Sequence, residues 1–136
     1  MMVRKKLAAA VAVFGALQSG LVSALGLGEL RLESALNQPL DAEVKLLDTR
    51  ELDESQVIVR LASQEDFKRA GVSRDFFLTN IKFDVEVDER GTGKIRLTTT
   101  DPVVEPYLNF LIEARWPTGR LLREYTVLLD LPVFSE

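Results

Sequence analysis

From Gly28 onward, apolar and polar residues alternate in short runs, and each run ends at residues that favour turns. In Gly28–Leu32, Leu30 and Leu32 face one way while Glu29, Arg31 and Glu33 face the other, the pattern of a strand with one buried side. Ser34–Pro39 reads as a turn. Pro39 starts the next strand, a position that needs no ladder N–H, and Ala42, Val44 and Leu46 share a face of Leu40–Leu47. Asp48–Ser55 is polar and acidic and is expected to be a loop. Val57, Val59 and Leu61 then alternate with Ile58, Arg60 and Ala62 in a third strand.

The period changes after Ala62. Ser63 is a suitable N-cap for a short helix, and Asp66 occupies the third helical position, where a capping-box acid would sit. Phe67 and Ala70 lie on one side, and Gly71 can end the helix in the left-handed conformation. The connection Val72–Thr79 carries Phe76, Phe77 and Leu78, which are expected to plug one end of the core.

Two hairpins follow. Phe83, Val85 and Val87 face inward, Gly91-Thr92-Gly93 turns the chain, and Ile95 and Leu97 face inward on the return. The outward acids Asp84 and Glu86 then stand opposite the bases Lys94 and Arg96, which favours this register. In the last hairpin, Leu108, Phe110, Ile112, Ala114 and Trp116 share one face, Pro117-Thr118-Gly119 turns, and Leu121, Tyr125, Val127 and Leu129 alternate on the return strand. About seven short strands and one short helix predict an all-β, antiparallel sandwich of immunoglobulin-like type, with a small barrel as the alternative.

The N-terminus follows another logic. Arg4, Lys5 and Lys6 precede an apolar run from Leu7 to Leu17, and Val22-Ser23-Ala24 supplies small residues at an A-x-A-like cleavage site. Residues 1–24 therefore read as a signal peptide, and the apolar run falls short of the roughly 20 residues a membrane span needs. The organisation expected is a signal peptide over 1–24, one domain over 25–132, and a tail or the start of a linker over 133–136. The mature domain is not expected to insert into a membrane.

Composition narrows the chemistry. Residues 1–24 hold three of the 17 basic residues and none of the 21 acidic ones, so the remainder carries a net charge of −7, which argues against nucleic acid as a partner. The chain has no cysteine and no histidine. Triads built on either are impossible, and zinc, copper and haem sites that depend on them are disfavoured. No catalytic residue, metal ligand or cofactor site is therefore assigned, and the chain is read as a non-enzyme. Asp84, Glu86 and Asp88 share one strand face and could offer oxygens to calcium, but alternate strand side chains stand about 7 Å apart, and the row reads as a solvated face. Arg123 falls on the same face as Leu121 and Tyr125, where a charge needs a partner such as Glu113 or Glu105. Trp116 reads as a lid over the core or as an exposed anchor. Residues chosen as partner contacts are Trp116, Arg120 and Arg123 in the last hairpin, and Asp75, Phe76 and Phe77 in the connection.

Longer stretches of sequence are also distinctive. Ser34-Ala35-Leu36-Asn37-Gln38-Pro39-Leu40-Asp41-Ala42-Glu43, Val59-Arg60-Leu61-Ala62-Ser63-Gln64-Glu65-Asp66-Phe67 and Trp116-Pro117-Thr118-Gly119-Arg120-Leu121-Leu122-Arg123-Glu124-Tyr125 resemble the N-terminal periplasmic domain of the FimV-type pilus assembly family. The resemblance spans nearly all of residues 25–132. It implies a periplasmic interaction domain of a large inner-membrane scaffold linked to type IV pilus assembly, twitching motility, type II secretion and polar organisation. It also implies envelope or pilus-assembly proteins as partners. Family members usually continue into a peptidoglycan-binding LysM module, a transmembrane helix and cytoplasmic tetratricopeptide repeats. None of these is seen in this sequence, so it is expected to be an N-terminal piece of such a scaffold or a short relative. The alternative function is a peptidoglycan- or glycan-binding periplasmic module.

Overall fold

The computed structural model describes residues 25–50 and 52–131. The expected signal peptide and the 133–136 tail lie outside the described residues. Seven strands form among the described residues: β1 (Gly26–Leu32), β2 (Pro39–Leu47), β3 (Ile58–Leu61), β4 (Lys82–Val87), β5 (Thr92–Pro102), β6 (Tyr107–Trp116) and β7 (Gly119–Leu128). One α-helix, α1 (Gln64–Ala70), lies between β3 and β4. One sheet has the order β1-β2-β5-β4 and the other β3-β6-β7, and every strand pair is antiparallel. With strands lettered A to G in chain order, these are the ABED and CFG sheets of an immunoglobulin constant-type sandwich. The structure therefore bears out the expected sandwich rather than the barrel.

The inward rows match the alternation in the sequence. Leu40, Ala42, Val44 and Leu46 from β2, Ile95 and Leu97 from β5, and Leu108, Phe110, Ile112 and Ala114 from β6 are all buried in one core. Tyr125 and Val127 of β7 join them. The sequence contains no cysteine. Stability accordingly rests on this burial, at about 25 cal/mol per Å² of apolar surface.

The helix forms where the capping signals place it. Ser63 Oγ accepts from the Asp66 N–H at 3.2 Å, and Gly71 ends the helix at φ 73°. Its side brings Phe67 into the core. The Asp66 carboxylate does not close the expected capping box: it accepts from the Ser63 hydroxyl at 3.0 Å and bonds Arg120 of the last hairpin.

Three local expectations need correction. Phe76 is 83% exposed, whereas Leu78 is buried and Phe77 packs partly on the core. The segment Phe76–Asn80 is a 3₁₀ helix. At three residues per turn, three consecutive side chains cannot all point inward. The turn of the β4–β5 hairpin lies at Glu89–Gly91 rather than Gly91–Gly93, and Thr92 already belongs to β5. The Asp88 carboxylate draws it there by accepting from the Arg90 N–H at 2.8 Å and the Thr92 hydroxyl at 2.8 Å. Within the expected loop Asp48–Ser55, a 3₁₀ turn begins at Glu54 and is capped by Asp53.

The C-terminal cap of α1 yields a direct test. Gly71 has open space around a would-be Cβ but a positive φ. Gly71→Ala should therefore lower stability by about 1 kcal/mol and Gly71→Asn by less, as measured by urea denaturation.

Candidate functional site

The last hairpin and the crossover connection hold the six residues singled out in the sequence, and the structure separates them: Trp116 and Arg120 lie at the turn end of β6, Arg123 opposite Ile112 in its middle, and Asp75, Phe76 and Phe77 near its other end. At the turn end, Trp116 pairs with Gly119 across Pro117-Thr118. Pro117 presets the φ needed at the second turn position. The Trp116 ring lies so close that a Cβ on Gly119 would stand 2.7 Å from it, so any larger residue there would force the ring to shift. Trp116 is half-buried against the core edge, between the lid and the anchor expected of it.

Arg123 lies on the inward-facing row of β7 but is exposed at the rim of the sandwich, and its partner is neither Glu113 nor Glu105. Its guanidinium donates to the backbone carbonyls of Leu27 and Gly28 and stacks over the Tyr125 ring at 5.0 Å. The Tyr125 hydroxyl donates to the same Gly28 carbonyl at 2.7 Å. Burial pushes the Tyr125 phenol above its ordinary pKa, which keeps it a donor. These carbonyls are free because β1 bulges there: Gly28 and Glu29 together stand opposite Lys45 of β2. Two side chains of β7 thus cap the outer edge of β1 and tie the sheets along one seam.

Arg120 belongs to a different assembly on the outer face of the β3-β6-β7 sheet. Two registered rows cross that face: Ile58, Arg115 and Arg120, then Arg60, Glu113 and Leu122. Glu113 sits at the centre and is only 2% exposed, although its side of the sheet faces away from the core. Three guanidiniums cover it: Arg120 Nε at 2.7 Å, Arg60 Nε at 2.9 Å and Arg115 Nε at 3.3 Å. Arg120 also reaches Asp66 of α1 at 2.6 Å, and Arg69 stands 3.6 Å from that carboxylate.

The electrostatics follow from this crowding. Burial opposes ionisation of Glu113 more than any other single influence, yet the bonds and charges of Arg120 and Arg60 together outweigh it and hold the carboxyl below its ordinary range. Asp66 is likewise held low: burial again acts against the charge, and Ser63 and Arg120 overcome it. Arg60, Arg115, Glu113 and Asp66 were not among the residues selected from the sequence. The outward positions of Arg60, Glu113 and Arg115 are legible in the alternation, but the register that joins β3 to β6 is not, nor is the reach of Arg120 to Asp66 on α1.

At the opposite end of β6, Asp75 and Phe77 line a cavity of about 90 Å³ with Leu78, Val103, Glu105 and Asn109. The Asn109 Oδ1 is buried there with no hydrogen-bond partner among the described residues. Phe76 stands in solvent beside it. Among the described residues there is no group of three or more acidic side chains placed to hold a metal, and no helix long and apolar enough to cross a membrane.

Known proteins add a separate line of information. The family model for the FimV N-terminal domain, an Ig-like domain, matches residues 25–132. Over 131 residues the chain is 55% identical to the motility hub protein FimV of Pseudomonas aeruginosa strain PAO1, an alignment that covers 96% of this chain and 14% of that protein. The same figures hold for the motility hub protein FimV of strain UCBPP-PA14. The chain thus spans about a seventh of the length of these relatives. No solved structure matches it.

Two predictions come from this geometry. Glu113 and Asp66 have folded-state pKa values below their unfolded ones, so their stabilisation is present above the ordinary carboxylate range and is lost as pH falls through and below about 4. Glu113→Gln should lower stability by about 1–2 kcal/mol near neutral pH, the guanidiniums being partly solvated, and should flatten the acid limb of a melting-temperature-against-pH curve. In the second, Arg123→Ala and Tyr125→Phe should each cost about 1 kcal/mol, and a double-mutant cycle by urea denaturation should show them to be non-additive because they share the Gly28 carbonyl.

Proposed function

The chain belongs to the FimV N-terminal Ig-like domain family, and from that membership we propose that it is a non-enzymatic interaction domain of a motility scaffold. Its place is the periplasm, reached through the leader in residues 1–24, and residues 25–132 are the working unit. There it supports type IV pilus assembly and twitching by docking envelope or pilus-assembly proteins. Where it forms part of a longer scaffold, inner-membrane anchoring and any hold on peptidoglycan belong to other modules of that scaffold.

The observation that carries this reading is 55% identity over 131 residues to a protein described as a motility hub. The chemistry of the chain agrees with it. With neither histidine nor cysteine, it lacks the side chains most used as general bases and nucleophiles near neutral pH. Its distinctive groups, a solvated arginine cluster and exposed aliphatic side chains, suit recognition of another macromolecule.

Removing codons 25–132 in frame from the native gene should abolish surface twitching while the rest of the gene product remains at its normal level, as checked by immunoblot. Twitching zones of wild-type diameter in that strain would refute the proposal.

A further inference from the structure

The outer face of the β3-β6-β7 sheet is more than a structural ion network. Arg60, Arg69, Arg115 and Arg120 surround only two carboxylates, Glu113 and Asp66. The cluster therefore carries a surplus of two positive charges, on a chain whose formal net charge is −4. Glu124 lies one row further along, opposite Leu111, and forms no ion pair with these arginines among the described residues. The four arginine side chains remain 41–75% exposed. The Nε atoms of Arg60 and Arg115 face Glu113, and their terminal amino groups make no hydrogen bond among the described residues. In the same two rows Ile58 is 58% exposed, and Leu122 lies at the opposite corner, 36% exposed.

We propose that this face docks a short acidic segment of a partner protein, with carboxylates seated on Arg60 and Arg115 and apolar side chains packed on Ile58 and Leu122. Guanidinium forks match carboxylates in shape and charge. Glu113 already holds them in place, so less side-chain freedom is lost on binding. Arginine beside exposed aliphatic side chains is a composition suited to the core of an interface. The acidic balance of the rest of the domain repels an extended polyanion such as a lipid surface or nucleic acid, whereas a short segment meets the cluster alone. This inference names the partner chemistry of the docking role proposed above and rests on it.

The test uses the exported, purified protein and a fluorescein-labelled peptide of mixed glutamate and leucine, read by anisotropy at physiological ionic strength. The peptide should bind, and its glutamine–leucine counterpart should bind about tenfold more weakly. Arg115→Gln should weaken binding severalfold. Ile58→Ser should do the same without touching any ion pair, so a folding defect in the first variant leaves the test intact. Arg90→Gln, in the β4–β5 turn, should change nothing. Equal binding of the two peptides, or full binding by a folded Ile58→Ser variant, overturns the proposal. So does equally tight binding of poly-L-glutamate, competition by purified sacculi, or self-association that Ile58→Ser abolishes, since these point to charge alone, to wall carboxylates or to a second copy. Twitching assays separate the two readings. A strain carrying Arg115→Gln and Ile58→Ser that twitches normally, when deletion of 25–132 does not, removes this face and leaves the motility role standing. Normal twitching after that deletion removes the motility role, while the peptide result still decides the face.

Discussion

Strand β6 must be covered on both of its faces, and much of the architecture answers that demand. It is the middle strand of the three-stranded sheet, so neither edge is open. Its inward row is apolar and meets the other sheet. Its outward row includes Leu111 and Glu113, and both are buried. A carboxylate withdrawn from water needs compensating charge and hydrogen bonds. Arg60 from β3, Arg115 from β6 itself and Arg120 from β7 supply them, and Arg120 extends the network to α1 through Asp66. One buried acid thereby ties together three strands and the helix of the crossover.

The same arrangement gives the domain a surface with a distinct chemistry. Each arginine held against Glu113 keeps part of its guanidinium in solvent, so the requirement that stabilises β6 also assembles a basic, partly apolar face. On the opposite sheet the charges cancel: Glu86 pairs with Lys94, and Asp41 with Arg96. The two outer faces of the sandwich are therefore unlike: one is laced with acid–base pairs, and the other is built on arginines gathered around Glu113.

The seam between β1 and β7 solves a different problem. An open strand edge invites pairing with other chains. Here the bulge at Gly28 turns two carbonyls out of the ladder, and Arg123 and Tyr125 take them. Arg123 looks misplaced on an inward-facing row when read as sequence. In the fold it stands at the rim of the sandwich, where its charge meets backbone dipoles instead of the core.

What the chain determined by itself is what neighbouring residues decide among themselves. Period-two alternation marked the strands and their buried faces, because adjacent side chains of a strand must point opposite ways. Ser63 and Gly71 bounded α1, because caps act on the nearest backbone groups. Acids and bases in the β4–β5 hairpin indicated its register, since a tight turn leaves little freedom to slip. Tertiary structure decided what depends on distant partners. Arg123 reaches residues 95 and 96 positions earlier in the chain, and Arg60 meets Glu113 across 53. Which inward charge finds a carbonyl, and which outward arginines converge on one acid, depends on how the sheets and the crossover pack. Alternation says which face a residue occupies, but not what lies across from it.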